Sequence, residues 1–120
     1  MNMQSLDYKV EGKFVKLKLE NGIPSELRFD YPVRQVVIFE SFFLVRIEPD
    51  FGKILNENVF CYSFEGEFLW KVEPTDTIDE DCPYMNIERD SGNLFFYNWS
   101  GERVKIDPID GRVVTKTLIR

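Results

Sequence analysis

Asn58-Val59-Phe60-Cys61-Tyr62-Ser63-Phe64-Glu65-Gly66-Glu67-Phe68-Leu69-Trp70-Lys71-Val72-Glu73-Pro74 is the stretch that decides the fold. Two runs rich in β-branched and aromatic residues, 59–64 and 67–72, flank Glu65-Gly66. A glycine after a polar residue supplies the positive φ of a tight hairpin turn, so the stretch reads as two antiparallel strands. The same punctuation recurs at Glu11-Gly12, Asn21-Gly22, Ser91-Gly92, Ser100-Gly101 and Asp110-Gly111, and as Pro49-Asp50-Phe51-Gly52.

Strand-forming runs fill the intervals. In 13–19, Val15, Leu17 and Leu19 alternate with Lys16 and Lys18, the period of a sheet with one wet face. Runs 26–29, 33–39, 42–48, 84–88, 93–98, 102–106 and 112–118 follow the same logic, with a tight turn near Glu40-Ser41. No stretch carries a capped helical stripe, and 55–58 has room only for a turn or a single helical turn. The expected fold is all-β: an antiparallel meander of about nine to eleven short strands with little or no helix.

The hairpin is also a repeat. Asn58-Val59-Phe60-Cys61-Tyr62 through Gly66-Glu67 aligns with Asn93-Leu94-Phe95-Phe96-Tyr97 through Gly101-Glu102. After a slip of one residue, Trp70-Lys71-Val72-Glu73-Pro74 aligns with Val104-Lys105-Ile106-Asp107-Pro108, and Val45-Arg46-Ile47-Glu48-Pro49 gives the ending a third time. A strand that ends in an acid and a proline enters a turn with φ already set, and the acid can accept hydrogen bonds from turn N–H groups. Glu48, Glu73 and Asp107 therefore read as turn caps. At 120 residues the chain suits a single domain over 1–120, with blade-like repeats near 42–74 and 84–118.

Tyr62-Ser63-Phe64-Glu65-Gly66-Glu67-Phe68-Leu69-Trp70 resembles the blade signature of quinoprotein-type β-propellers; the second copy keeps Gly101 but has Lys105 where the tryptophan would fall. The resemblance implies propeller-like architecture, with Trp70 packed between blades and no quinone cofactor. The chain is also similar to short bacterial proteins with an Asn-Val-Phe…Leu-Trp segment followed by Asn-Trp-x-Gly, some of them immunity partners of secreted toxins. A closed propeller takes about four blades of some 40 residues. The expectation is therefore two or three twisted blade-like sheets in an incomplete propeller or sandwich. Such sheets have open edges, which Lys16, Lys18, Arg46, Lys71, Arg103 and Lys105 are placed to charge.

Composition limits the chemistry. Histidine is absent, which removes the commonest general base and metal ligand and leaves no Ser-His or Cys-His nucleophile pair. Cys61 and Cys82 read as reduced thiols: a structural zinc site takes about four ligands, and two cysteines without histidine supply too few. No phosphate-binding glycine loop occurs. The acidic run within 74–83, with Asp76, Asp79, Glu80 and Asp81, lacks the ligand alternation and central glycine of an EF-hand. The expectations are no catalytic residues, no metal and no cofactor.

Net charge is −6, which disfavours nucleic acid and anionic membranes and favours a basic partner. No window reaches the roughly 20 apolar residues of a membrane helix. The start, Met1-Asn2-Met3-Gln4-Ser5, has neither the basic nor the apolar region of a signal peptide, so the expected location is the cytoplasm. The expected function is a non-catalytic protein-binding module, an immunity-type inhibitor of a basic toxin. The alternatives are a self-associating structural β-module and, more distantly, a carboxylate enzyme. The candidate partner-binding residues are Asp76, Asp79, Glu80, Asp81, Tyr84 and Trp99. For the two aromatic residues, which flank turns, core or edge packing is the competing reading.

Overall fold

A computed structural model describes residues 6–19, 22–50, 52–74 and 82–119. Alternating side chains give each strand two faces, and the turns fold consecutive strands against each other. Among the described residues there are eleven strands and no helix, and all strand pairs are antiparallel. The first sheet comprises β1 (Asp7–Glu11), β2 (Phe14–Lys18) and β3 (Pro24–Arg28), in that order. The second runs β4 (Val33–Phe39), β5 (Phe42–Ile47), β6 (Val59–Ser63), β7 (Phe68–Lys71). The third runs β8 (Tyr84–Asp90), β9 (Asn93–Asn98), β10 (Glu102–Ile106), β11 (Val113–Leu118). The three sheets are open, an arrangement compatible with an incomplete propeller or a sandwich. Residues 55–58 form bends without a helical turn.

The second sheet lies between the other two and contributes to both cores. Phe43, Val45 and Ile47 pack with Val15, Leu17 and Phe29 of the first-sheet side. Phe39, Leu44, Val59, Cys61 and Trp70 pack with Tyr84, Ile87, Leu94, Phe96, Val104 and Ile106 of the third-sheet side. This is why Phe42-Phe43-Leu44-Val45 is a continuous apolar run while β2 alternates: β5 buries both faces and β2 only one. Burying each of these large side chains contributes about 1.5–3 kcal/mol, so the two interfaces carry most of the fold's driving force.

The outward faces are polar. On the first sheet Glu11 pairs with Lys9 at 3.0 Å and Lys16 at 2.9 Å. On the third, the Arg103 guanidinium lies 3.7 Å above the Phe95 ring and bonds Glu88 at 2.7 Å. Tyr97 donates to the same carboxylate at 3.1 Å. Arg103 and Tyr97 thereby hold the Glu88 carboxyl below its ordinary pKa.

Side chains stitch β4 to β8, which run alongside each other in the same direction. Gln35 donates through Nε2 to the Ile87 carbonyl at 3.2 Å and accepts the Ile87 N–H on Oε1 at 3.1 Å. Arg89 Nη1 donates to the Ile38 carbonyl at 2.8 Å. Backbone groups that would face outward from two edge strands are thus satisfied by the neighbouring sheet, one way to protect an edge.

Three sequence expectations change in detail. The first blade-like unit begins at Val33, with β4, rather than near residue 42. Sequence similarity pairs β6 with β9 and β7 with β10, but sheet position pairs β5 with β9 and β6 with β10. The repeat is therefore one of hairpins, offset by a strand from the repeat of sheets. Of the basic residues assigned to edges, only Lys71 lies on an edge strand; Lys16, Lys18, Arg46, Arg103 and Lys105 are on interior strands.

Candidate functional site

A groove of about 320 Å3 opens where the second and third sheets meet. Its walls come from three segments: Glu48, Pro49 and Asp50 after β5; residues 52–55 and Asn58 before β6; and Pro83 to Met85 at the start of β8. Trp99, in the turn between β9 and β10, closes the remaining side and bonds back through its N–H to the Pro83 carbonyl at 2.9 Å. Three exposed apolar side chains stand here together: Trp99 is 60 % exposed, with Ile54 and Met85 also open to solvent.

Buried polar groups fix the floor. Asn58 is 2 % exposed, and its amide bonds both the N–H and the carbonyl of Tyr84 and the carbonyl of Ile47. The Tyr84 hydroxyl donates to the Glu73 carbonyl at 2.7 Å, and its ring meets Phe96 edge-on with centroids 5.3 Å apart. Tyr84 is consequently 0 % exposed. This corrects its assignment as a contact residue: the ring is core, pinned from both ends. Trp99 is the sequence candidate that stands at the surface. Asp76, Asp79, Glu80 and Asp81 lie outside the described residues.

The rim carries Glu48, Asp50 and Lys53. Glu48 leans toward Arg34 at 3.6 Å and Arg46 at 4.0 Å, so its carboxylate is engaged in ion pairs. Asp107 does cap its turn, accepting the Ile109 N–H at 2.9 Å, and Asp110 accepts that of Arg112 at 3.0 Å. Glu73 joins the structure through its backbone, its N–H bonding the Gly111 carbonyl. Ile54 and Met85 were invisible as site residues in the sequence, since isolated apolar residues beside turns carry no motif.

Two other cavities have different chemistry. One of about 470 Å3 between the first and second sheets is lined by Arg28, Asp30, Glu57, Lys71 and aromatic residues, with Lys71 tied to Glu57 at 3.1 Å. Burial raises the pKa of the Tyr62 hydroxyl there. A smaller one, about 290 Å3, borders Phe39, Glu40, Arg89 and Ser91 at the opposite end of β4 and β8. Neither presents an exposed ring. Cys61 and Cys82 are buried free thiols, and Cys82 Sγ sits 3.1 Å from Ser100 Oγ. Among the described residues no three His, Cys, Asp or Glu side chains cluster as metal ligands would. Among them, too, no helix is long and apolar enough to cross a membrane.

Open antiparallel sheets with an apolar groove at the junction of two of them define an all-β protein. Over residues 7–118 the chain matches the domain of unknown function DUF7957, and it belongs to that family. No curated protein matches it.

Proposed function

We propose that this chain is a non-catalytic protein-binding module that works in the cytoplasm and docks a basic protein partner through the Trp99 groove. The observation that carries the reading is Trp99 itself: a large ring, 60 % exposed, beside Met85 and Ile54. Keeping such a side chain in water forfeits burial that a folding chain would otherwise use, and tryptophan dominates the energetics of many interfaces. A net charge of −6 favours a partner of opposite sign and speeds the encounter. Inhibition of a basic toxin as its immunity partner is the specific form of this function that acidity and the sequence resemblance favour.

Tagged wild-type protein and Trp99→Ala, expressed in the native cell, test the reading. The expected result is one basic protein that co-purifies with wild type and falls at least about tenfold with the variant, a difference of about 1.4 kcal/mol. The same proteins recovered in equal yield would overturn it.

Self-association is a second reading, favoured by the exposed apolar side chains Val114, Leu118 and Ile119 on and after β11. Light scattering decides it: a strict monomer at high concentration removes it.

A further inference from the structure

The first sheet is one strand short of the other two: among the described residues it has three strands where they have four. Matching bonds identify the position that differs. The Phe29 N–H bonds the Lys13 carbonyl as the Val72 N–H bonds that of Val59, so β2 and β3 stand where β6 and β7 do. β1 therefore corresponds to β5, and the strand without a counterpart is the one that β4 supplies beside β5. Gln35 and Arg89 bond the edges of β4 and β8 to each other; among the described residues no such bond reaches the free edge of β1.

The side chains of β1 are as open as its edge. Leu6, Tyr8 and Val10 share the side that faces the second sheet, since Tyr8 opposes Leu17 and Val10 opposes Val15. Yet Tyr8 is 37 % and Val10 38 % exposed. Asp7, Lys9 and Glu11 share the other side. Glu11 is held by Lys16 at 2.9 Å as well as by Lys9, so Lys9 is not needed to keep it paired. Asp7 makes no ion pair among the described residues.

This pattern complements itself. A strand added beside β1 runs antiparallel to it, as β4 does to β5, and a two-fold axis through Tyr8 brings a second copy of β1 into that place. Tyr8 then meets Tyr8, each Leu6 meets a Val10, and each Asp7 meets a Lys9. Moving the axis one residue either way sets like charges opposite each other: Lys9 on Lys9 with Asp7 on Glu11, or Asp7 on Asp7. An axis through Val10 opposes Lys9 to Glu11 but carries Tyr8 onto the turn at Gly12, where φ is +57°. Other edges lack this property. β7 and β11 each carry one lysine and no acid, and β3 begins with Pro24, which has no N–H to give.

We infer that a second copy of this chain pairs antiparallel with β1 about Tyr8, its Lys9 against Asp7 and its Asp7 against Lys9, joining two three-stranded sheets into one of six. This goes beyond the protein-binding reading and uses no residue that lines the Trp99 groove.

Sedimentation of the full chain is the test. So short a ladder is small beside the roughly 1,600 Å2 of a standard interface, so the expected species is a reversible dimer of twice 14.2 kDa, with a Kd on the order of 100 μM. Lys9→Glu and Asp7→Lys should each weaken it at least about tenfold, since the first chain presents only acids beside the axis and the second only bases. Mixed in equal amounts, the two variants should recover most of the wild-type affinity as a heterodimer, which also shows that both are folded. A wild-type chain that stays monomeric at about 1 mM overturns the inference. So does a dimer that either variant leaves intact: indifference to both places the contact at another surface such as β11, and indifference to Asp7→Lys alone places the axis at Val10. A mixture that fails to associate overturns it as well. Partner capture through Trp99 is a separate readout, and its loss leaves each of these outcomes unchanged.

Discussion

Asn58 holds Tyr84 by both of its backbone polar groups, donating to the carbonyl at 2.8 Å and accepting the N–H at 3.0 Å. One buried amide thereby does for two sheets what a ladder does for two strands. Asn58→Leu keeps the approximate size but orphans a buried N–H and two carbonyls. Each orphan costs about 1–3 kcal/mol, so a loss of about 3 kcal/mol or more is expected, read as a lowered urea midpoint. Asn58→Asp should cost a similar amount at neutral pH, because a carboxylate then faces the carbonyls of Tyr84 and Ile47 with no proton to give.

Trp70 and Gly111 form the second tie between these sheets. The indole N–H donates to the Pro108 carbonyl at 2.9 Å, and a Cβ on Gly111 would lie 2.3 Å from Trp70 Cε3. Gly111 also has φ +77°, a conformation that β-carbons disfavour. Gly111→Ala therefore suffers both a clash and strain, and should cost about 3 kcal/mol or more in a denaturation experiment. Trp70→Leu in the same chain should recover part of that loss. Strict additivity in the double-mutant cycle would show that the two positions do not meet.

Much of this fold was legible because β-period and turn chemistry are local. Val33–Phe39 and Asn93–Asn98 have the bounds that alternation and their turns imply. β1 escaped notice: its apolar residues Tyr8 and Val10 are partly exposed, and Asp7, Lys9 and Glu11 share the outward face, so the pattern reads as a polar lead-in. The offset between the hairpin repeat and the sheet repeat has a similar cause. Local sequence records a strand, a turn and a strand, but not the place of that pair in a sheet. At the site, Tyr84 and Trp99 look alike in sequence, each an aromatic residue beside a turn. What separates them is distant: Glu73 and Asn58 reach Tyr84, while Trp99 is bound only through its backbone among the bonds described.

Cys61 gives the protein an alkaline limit. Burial pushes its thiol up to about 12 from an ordinary value near 9. The folded value stands above the unfolded one, so the contribution is intact below about pH 9 and is lost as pH rises from about 9 toward 12. The slope in that window should approach about 1.4 kcal/mol per pH unit. Urea midpoints at a series of alkaline pH values should show it, and Cys61→Ala should flatten it. Burial raises the Tyr62 hydroxyl as well, so Tyr62→Phe removes a further part of the slope above its ordinary range. A slope unchanged in Cys61→Ala would place the alkaline loss elsewhere.

The two tryptophans should separate folding from contact. Trp70 is 6 % exposed and spans the interface between sheets, so Trp70→Ala should cost about 3–5 kcal/mol. Trp99, at 60 % exposure, supports little of the core, and Trp99→Ala should change stability by no more than about 0.5 kcal/mol. Fluorescence gives an independent check: with Trp99→Phe the remaining emission should be blue-shifted and resistant to acrylamide, whereas with Trp70→Phe it should be red-shifted and readily quenched. A large stability loss from Trp99→Ala would mean that the ring braces the turn between β9 and β10. Loss of partner capture by that variant would then no longer identify a contact. Near-neutral stability makes the same loss of capture a measurement of binding.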